Sequence, residues 1–131
     1  MVDDLAWQIE QIPDSCIVYM RAHRDYFKDG QLQPGVFRKR ENGMSVDWGK
    51  YSSATEARSR SRIPHSNAVI RLAVGGILRI EPLRVVHSPD VVRGNRAHAD
   101  ISGLPTKEEL TEIRLSLLDL AKTVIGIDVD T

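Results

Sequence analysis

Residues 83–103 read LRVVHSPDVVRGNRAHADISG. A short apolar run ends at His87, a segment rich in Pro, Gly and Asn follows, and a second apolar run begins at His98. β-Branched residues on either side of turn residues mark two strands joined by a loop. If LRVVHS and AHADI pair as antiparallel neighbours, His87 and His98 come close together near one end of a sheet. The same stretch holds the densest group of reactive side chains in the chain: His87, Asp90, Asn95, His98 and Asp100.

The residues that follow decide the fold class. Pro105 and Thr106 stand ahead of Glu109, so Thr106 takes the N-cap position with Glu109 three residues on. Leu110, Ile113, Leu117, Leu120, Ala121 and Val124 fall on one stripe, and Gly126 is a natural stop. The spacing predicts an amphipathic helix over about 107–125 and a flexible tail from about 126. A sheet covered by such a helix is an α+β arrangement.

Towards the N-terminus, AVIRLAV at 68–74 is a strong strand candidate. Gly75-Gly76 permits a tight hairpin turn, with ILRI as either a returning strand or a single helical turn. Pro82 limits any long central strand here. Ser53 and Glu56 have capping-box spacing and open a helix through ATEARSRSR that Pro64 closes. That helix lacks an apolar stripe and belongs on the surface. In MSVDW, Met44, Val46 and Trp48 alternate with Ser45 and Asp47, and CIVYMRA at 16–22 is a further strand that carries Arg21, His23 and Arg24 to its end. KDGQLQPGV reads as a loop, and FRKREN as an exposed cationic segment. Leu5, Ile9 and Ile12 predict a short helix over 3–12, stopped by Pro13. The whole is a single α+β domain, residues 1–131, with a small mixed β-sheet of about four to five strands packed by the C-terminal amphipathic helix.

A chain with 41% hydrophobic and 27% charged residues has the composition of an ordinary globular protein. One cysteine, Cys16, excludes an intrachain disulfide and reads as a small core hydrophobe. No apolar run reaches the roughly 18–20 residues of a membrane helix. The acidic start MVDDLAWQIEQIP lacks the basic and apolar regions of a signal peptide, so the expected location is cytoplasmic with no membrane partner. The net charge of zero conceals a pattern: residues 21–96 carry fifteen Lys and Arg against seven Asp and Glu, between acidic ends. A basic middle suits an anionic ligand or nucleic acid, or is neutralised by the ends on one folded surface.

Histidines titrate near neutral pH, so His23, His87 and His98 are the candidate catalytic residues if the strands bring them together. The competing reading is that His98 packs at the core and His87 caps a turn through backbone carbonyls. Their spacing matches no metal motif, and no metal or other cofactor is expected. Ser45 or Ser88 with a His and an Asp supplies the atoms of a hydrolytic triad but no nucleophile elbow. The clusters RAHR, RKR and RSRSR, interleaved with Tyr26, Phe37 and Tyr51, offer cations for phosphate and rings for bases. Gly75-Gly76 lacks the Lys-Ser or Lys-Thr of a phosphate loop.

In order along the chain stand Arg21-x-His23, Pro34-Gly-Val-Phe37, Gly43-Met-Ser-Val46, His87-Ser-Pro89, and Asn95-Arg-Ala-His98 with Gly103. This ordered set resembles a group of small bacterial proteins that share the landmarks over roughly residues 18–103. The resemblance implies a bacterial origin and a common fold, singles out Asn95 and His98 for testing, and carries no activity with it. An early strand with Arg and His, and a later Ser at the head of a strand, also resemble ADP-ribosyl-transferring folds, whose late-strand catalytic glutamate has no counterpart here.

With no nucleophile elbow, metal cage or cofactor loop, the leading expectation is a non-enzymatic interaction or accessory domain of a bacterial multi-gene system, of the defence or toxin–antitoxin type, partnered by another protein. The first alternative is an enzyme acting on a nucleotide or nucleic acid. Its histidines surround an anion site whose binding residues are Arg21, Arg24, Asn95 and Arg96. The second is a simple nucleic-acid-binding domain.

Overall fold

The strand expected at 16–22 forms as β1 (Ile17–His23) and lies inside a six-stranded sheet. The computed structural model describes residues 7–38, 43–105 and 107–127. After β1 come a small hairpin, β2 (Phe27–Lys28) and β3 (Gln31–Leu32), then β4 (Met44–Trp48) and α1 (Ala54–Ser59). β5 (Asn67–Ala73) runs directly into α2 (Val74–Leu78), followed by β6 (Arg84–His87) and β7 (His98–Ser102). α3 (Lys107–Leu120) and β8 (Lys122–Ile125) complete the order.

The sheet order is β6-β7-β4-β1-β5-β8, and every pairing among the described residues is antiparallel. The α+β class stands, but the sheet has six strands rather than four to five and is not mixed. The additional strand is β8, which falls inside the span expected to be helical. α3 ends at Leu120, and the β-branched run Thr123-Val-Ile125 pairs instead with the open edge of β5. Val124 therefore leaves the helical stripe and is exposed, while Leu110, Ile113 and Leu117 are buried as expected.

The pleat sorts the side chains onto two faces. Val18, Met20, Val46, Trp48, Ile70, Leu72, Ala99 and Ile101 form the apolar core together with α2 and α3. Arg21, Ser45, Asp47, His98 and Asp100 occupy alternate positions and lie on the other face, which α1 covers over β1, β5 and β8. No helix among the described residues is long and apolar enough to cross a membrane.

Several other local expectations change. Gly75-Gly76 does not turn a hairpin but lies within α2, where a Cβ on Gly76 would collide with the Leu120 side chain of α3. The true hairpin turn is Asp29-Gly30, both with positive φ, inside the segment expected to be a loop. Residues 7–12 are not helical. The Glu10 N–H donates to His87 Nδ1 at 2.9 Å and Ile12 is buried, so long-range contacts override the helical spacing. Residues 3–6, the Thr106 cap and residues 128–131 of the tail lie outside the described residues. Phe37, expected within an exposed segment, is fully buried; residues 39–42 of that segment are also outside the described residues. α1 has its capping box, with Ser53 Oγ accepting from the Glu56 N–H and Glu56 accepting from the Ser53 N–H, but it stops at Ser59, well before Pro64.

Candidate functional site

β1 and β4 are neighbours for only part of their length. Their register contains Val18–Trp48 and Tyr19–Asp47, with Gly49 N–H reaching the Ile17 carbonyl at 3.0 Å. β1 instead pairs with β5 along its whole length, through seven residue pairs from Ile17 to His23, while β4 pairs with β7 through four, from Met44 to Asp47. The sheet is thus split between the second half of β1 and the first half of β4. Met20, Arg21, Met44 and Ser45 border that split.

Asp47 organises the polar face beside it. Its side chain is 0% exposed, and a buried carboxylate needs partners. Arg21 Nη1 donates to its Oδ2 at 3.0 Å, Arg60 Nη1 to the same oxygen at 2.9 Å, and Asn95 Nδ2 to Oδ1 at 2.9 Å. Arg21 also donates to the Ala57 carbonyl at the end of α1, and Arg60 to Ser52 Oγ. Two guanidiniums on one carboxylate leave a net positive charge at the surface. Both arginines are held rigid, which suits anion binding.

The loop between β6 and β7 closes over this cluster. Asp90 and Asn95 exchange both backbone hydrogen bonds at 2.8 Å, and Asp90 Oδ1 accepts from the Arg93 N–H at 3.1 Å. Asn95 Oδ1 accepts from the Ala97 N–H at 3.1 Å, so its amide braces the loop on one side and Asp47 on the other. The result is a cleft of about 260 Å³ lined by Arg21, Arg60, Arg93 and His98, with Ser45, Asn95 and Asp90. A wider cavity of about 360 Å³ opens beside it and shares Arg21 and Ser45. Its walls add apolar Met20, Val36 and Met44, with Tyr26, His23, Arg38 and Asn67.

His98 is the best-oriented titratable group in the cleft. Its Nδ1 lies 2.9 Å from the Ser88 carbonyl oxygen, which only accepts, so Nδ1 carries the hydrogen in the neutral ring. Ser88 Oγ lies 3.0 Å from the same nitrogen and donates to Asp100 Oδ2 at 2.7 Å. Nε2 is left with its lone pair 3.3 Å from Ser45 Oγ. This tautomer is the one a general base requires.

The histidines of the sequence reading do not all converge. His98 and Asn95 share the narrower cleft with Arg21, and His23 lines the adjoining cavity, with Nδ1 accepting from the Asp25 N–H at 3.1 Å. His87 points to the opposite face, 1% exposed, its Nε2–H donating to the Arg96 carbonyl at 2.7 Å and its ring packed on Trp48. Arg96 stacks on Tyr51 at 4.2 Å, and Arg24 borders a separate cavity with Phe27 and Thr123. On that side, Glu10 bonds Lys50 at 2.7 Å and the Tyr51 hydroxyl. The Lys50 hydrogen bond first, and the Tyr51 hydroxyl second, hold the Glu10 carboxyl below the usual glutamate range.

Sequence reasoning missed Asp47 and gave Arg60 and Arg93 no individual role. An acid on the polar phase of a strand looks solvated unless the distant groups that converge on it, here Arg21, Arg60 and Asn95, are known. Among the described residues, no group of three or more His, Cys, Asp or Glu side chains is placed to hold a metal ion. No known protein family, curated protein or solved structure matches the chain, so the reading of the cleft rests on its own chemistry.

Proposed function

We propose that the protein is an enzyme that binds a nucleotide-type phosphate ester in the paired cavities and acts on it with His98 as acid–base group. The observation that carries this reading is the placement of Arg21, Arg60, Arg93 and His98 around one cleft that adjoins a half-apolar cavity. Guanidiniums recognise phosphate oxygens by charge and by paired N–H donors. The wider cavity offers a flat base apolar walls of Met20, Val36 and Met44, with Asn67 and His23 for its polar edge. Arg21, His23 and Ser45 all border that cavity, and they are the residue types on which the likeness to ADP-ribosyl-transferring folds rests. A nicotinamide dinucleotide therefore belongs among the ligands tried.

The test is calorimetric titration at low salt with a nucleoside, its mono- and diphosphates, a nicotinamide dinucleotide and a short single-stranded oligonucleotide. The expected order places nucleotides above the nucleoside, with affinity that falls as salt rises. Arg93→Ala, at a side chain 85% exposed, weakens binding several-fold without altering the melting temperature. An absence of nucleotide binding at low salt overturns the reading. Oligonucleotide binding that Arg93→Ala and Arg38→Ala leave unchanged places any nucleic-acid contact elsewhere.

The interaction domain of a bacterial multi-gene system is the second reading. In its favour, β6 is an edge strand, and Val86, Val91 and Val92 are exposed on it and just after it. Loss of partner binding on Val86→Lys, with nucleotide binding intact, would support it.

A further inference from the structure

We propose that Ser45 is the nucleophile of this cleft and forms a covalent adduct with the phosphorus of a nucleotide-type phosphodiester. The inference rests on the nucleotide reading and adds to it the attacking atom and the kind of ester attacked. Ser45 lies on an exposed position of β4 beside the split, and its hydroxyl borders both cavities. A serine hydroxyl is a weak nucleophile until a base takes its proton. Here the base is in place: His98 Nε2 is 3.3 Å from Ser45 Oγ, and its other nitrogen is fixed by the Ser88 carbonyl. Asp100 orients the ring at one remove, through Ser88 Oγ.

The position of Ser45 between two cavities selects a diester over a monoester. A ligand occupying both cavities carries a substituent on each side of the phosphorus that faces the serine. Arg21, also common to both cavities, is placed to neutralise the non-bridging oxygens where charge builds up. In the first step, Ser45 Oγ bonds to phosphorus while the bond from phosphorus to the leaving alcohol breaks. The hydroxyl proton passes to His98 Nε2, and the leaving oxygen departs in line on the opposite side of phosphorus, taking its proton from solvent. Water next attacks the phosphoserine from that vacated side and gives its proton to solvent. The Ser45 Oγ–phosphorus bond breaks, a phosphomonoester leaves, and Ser45 Oγ recovers the proton from His98.

The experiment uses the full chain with three probes: thymidine 5′-(p-nitrophenyl phosphate) as substrate, thymidine 5′-monophosphate as binding ligand, and a fluorophosphonate located by peptide mass spectrometry. Expected are release of nitrophenolate that falls at least about 100-fold in Ser45→Ala and in His98→Asn, and a phosphonyl label on Ser45 that is lost in His98→Asn. Ser45→Ala keeps its melting temperature and binds the monophosphate within about twofold of the parent protein, since an exposed hydroxyl adds little to either. If the monophosphate binds but release is absent or unchanged in Ser45→Ala, or if the label falls elsewhere or nowhere, the serine proposal is overturned and the nucleotide reading survives. If the parent protein does not bind the monophosphate, both fall together.

Discussion

His87 and His98 stand on hydrogen-bonded neighbours, β6 and β7, and the pleat sends them to opposite faces of one sheet. His87 pairs with Ala99 in register, one position beyond His98. On the core face, His87 is enclosed by Trp48 and Tyr51, with both ring nitrogens taken by backbone groups. On the other face, His98 Nδ1 donates to the Ser88 carbonyl with Ser88 Oγ beside it, and Nε2 keeps a lone pair towards a cleft. The same residue type thus does structural work on one side and is available for chemistry on the other. What separates the two is the company each face keeps: apolar residues and backbone on one, arginines, serines and carboxylates on the other.

The largest effect expected from disturbing this division comes from Asp47→Ala. It leaves Arg21, Arg60 and Asn95 without their shared acceptor, and breaking such a buried pair costs about 4 kcal/mol. Urea denaturation measures it. A loss below about 1 kcal/mol would mean that the polar face holds together without its central charge.

Next comes the histidine pair itself. His87→Ala strands the Glu10 N–H and the Arg96 carbonyl and opens a gap beside Trp48, for a loss of about 3 kcal/mol. His98→Ala stays within about 0.5 kcal/mol, because its ring is only half-buried. Denaturation midpoints in the reverse order would break the comparison. Smaller again is Ser53→Ala, which removes the cap of α1 and costs about 1 kcal/mol. If it also weakens nucleotide binding, α1 acts on the cleft through the bond from Arg21 to the Ala57 carbonyl.

The smallest effect is one of pH. The Glu10 carboxyl is held below its ordinary range by Lys50 and Tyr51, so its contribution is present above the ordinary glutamate value. It is lost as pH falls through the lower value of the folded protein. Protease cleavage near residues 7–13 should therefore increase on acidification below the ordinary carboxylate range, and Glu10→Gln should raise it already at neutral pH. Cleavage that does not change with pH would show that Ile12 and the His87 contact hold this segment without the ion pair.

Much of the fold was legible because several segments are locally consistent. β1, β4, β5, β6 and β7 all form where alternation or β-branched runs placed them, and the capping box of α1 forms as its spacing requires. The failures share a cause. Residues 7–12, Gly75-Gly76 and residues 122–125 each take a conformation set by a distant partner: His87, Leu120 and the edge of β5 respectively. Of the residues that line the narrower cleft, Arg21, Asn95 and His98 were recognisable by type and order. The part played by Asp47 was not, because its burial depends on Arg21, Arg60 and Asn95, which converge on it from other parts of the chain. That Ser45 stands beside His98 follows from the β4–β7 register, which the sequence leaves open.

The meagre pairing of β1 with β4 has a mechanical meaning. The sheet behaves as two three-stranded ribbons, β6-β7-β4 and β1-β5-β8, stitched along one short seam. Arg21, His23 and Asn67 ride on one ribbon, while Ser45, Asn95 and His98 ride on the other or on its loop. A rotation about the seam leaves each ribbon's own backbone hydrogen bonds intact and is resisted by the side-chain bond from Arg21 to Asp47, which joins the two ribbons. A molecule that touches both sets acts as a clasp, closing the jaws of the sheet and adding its own binding energy to the hold of the seam.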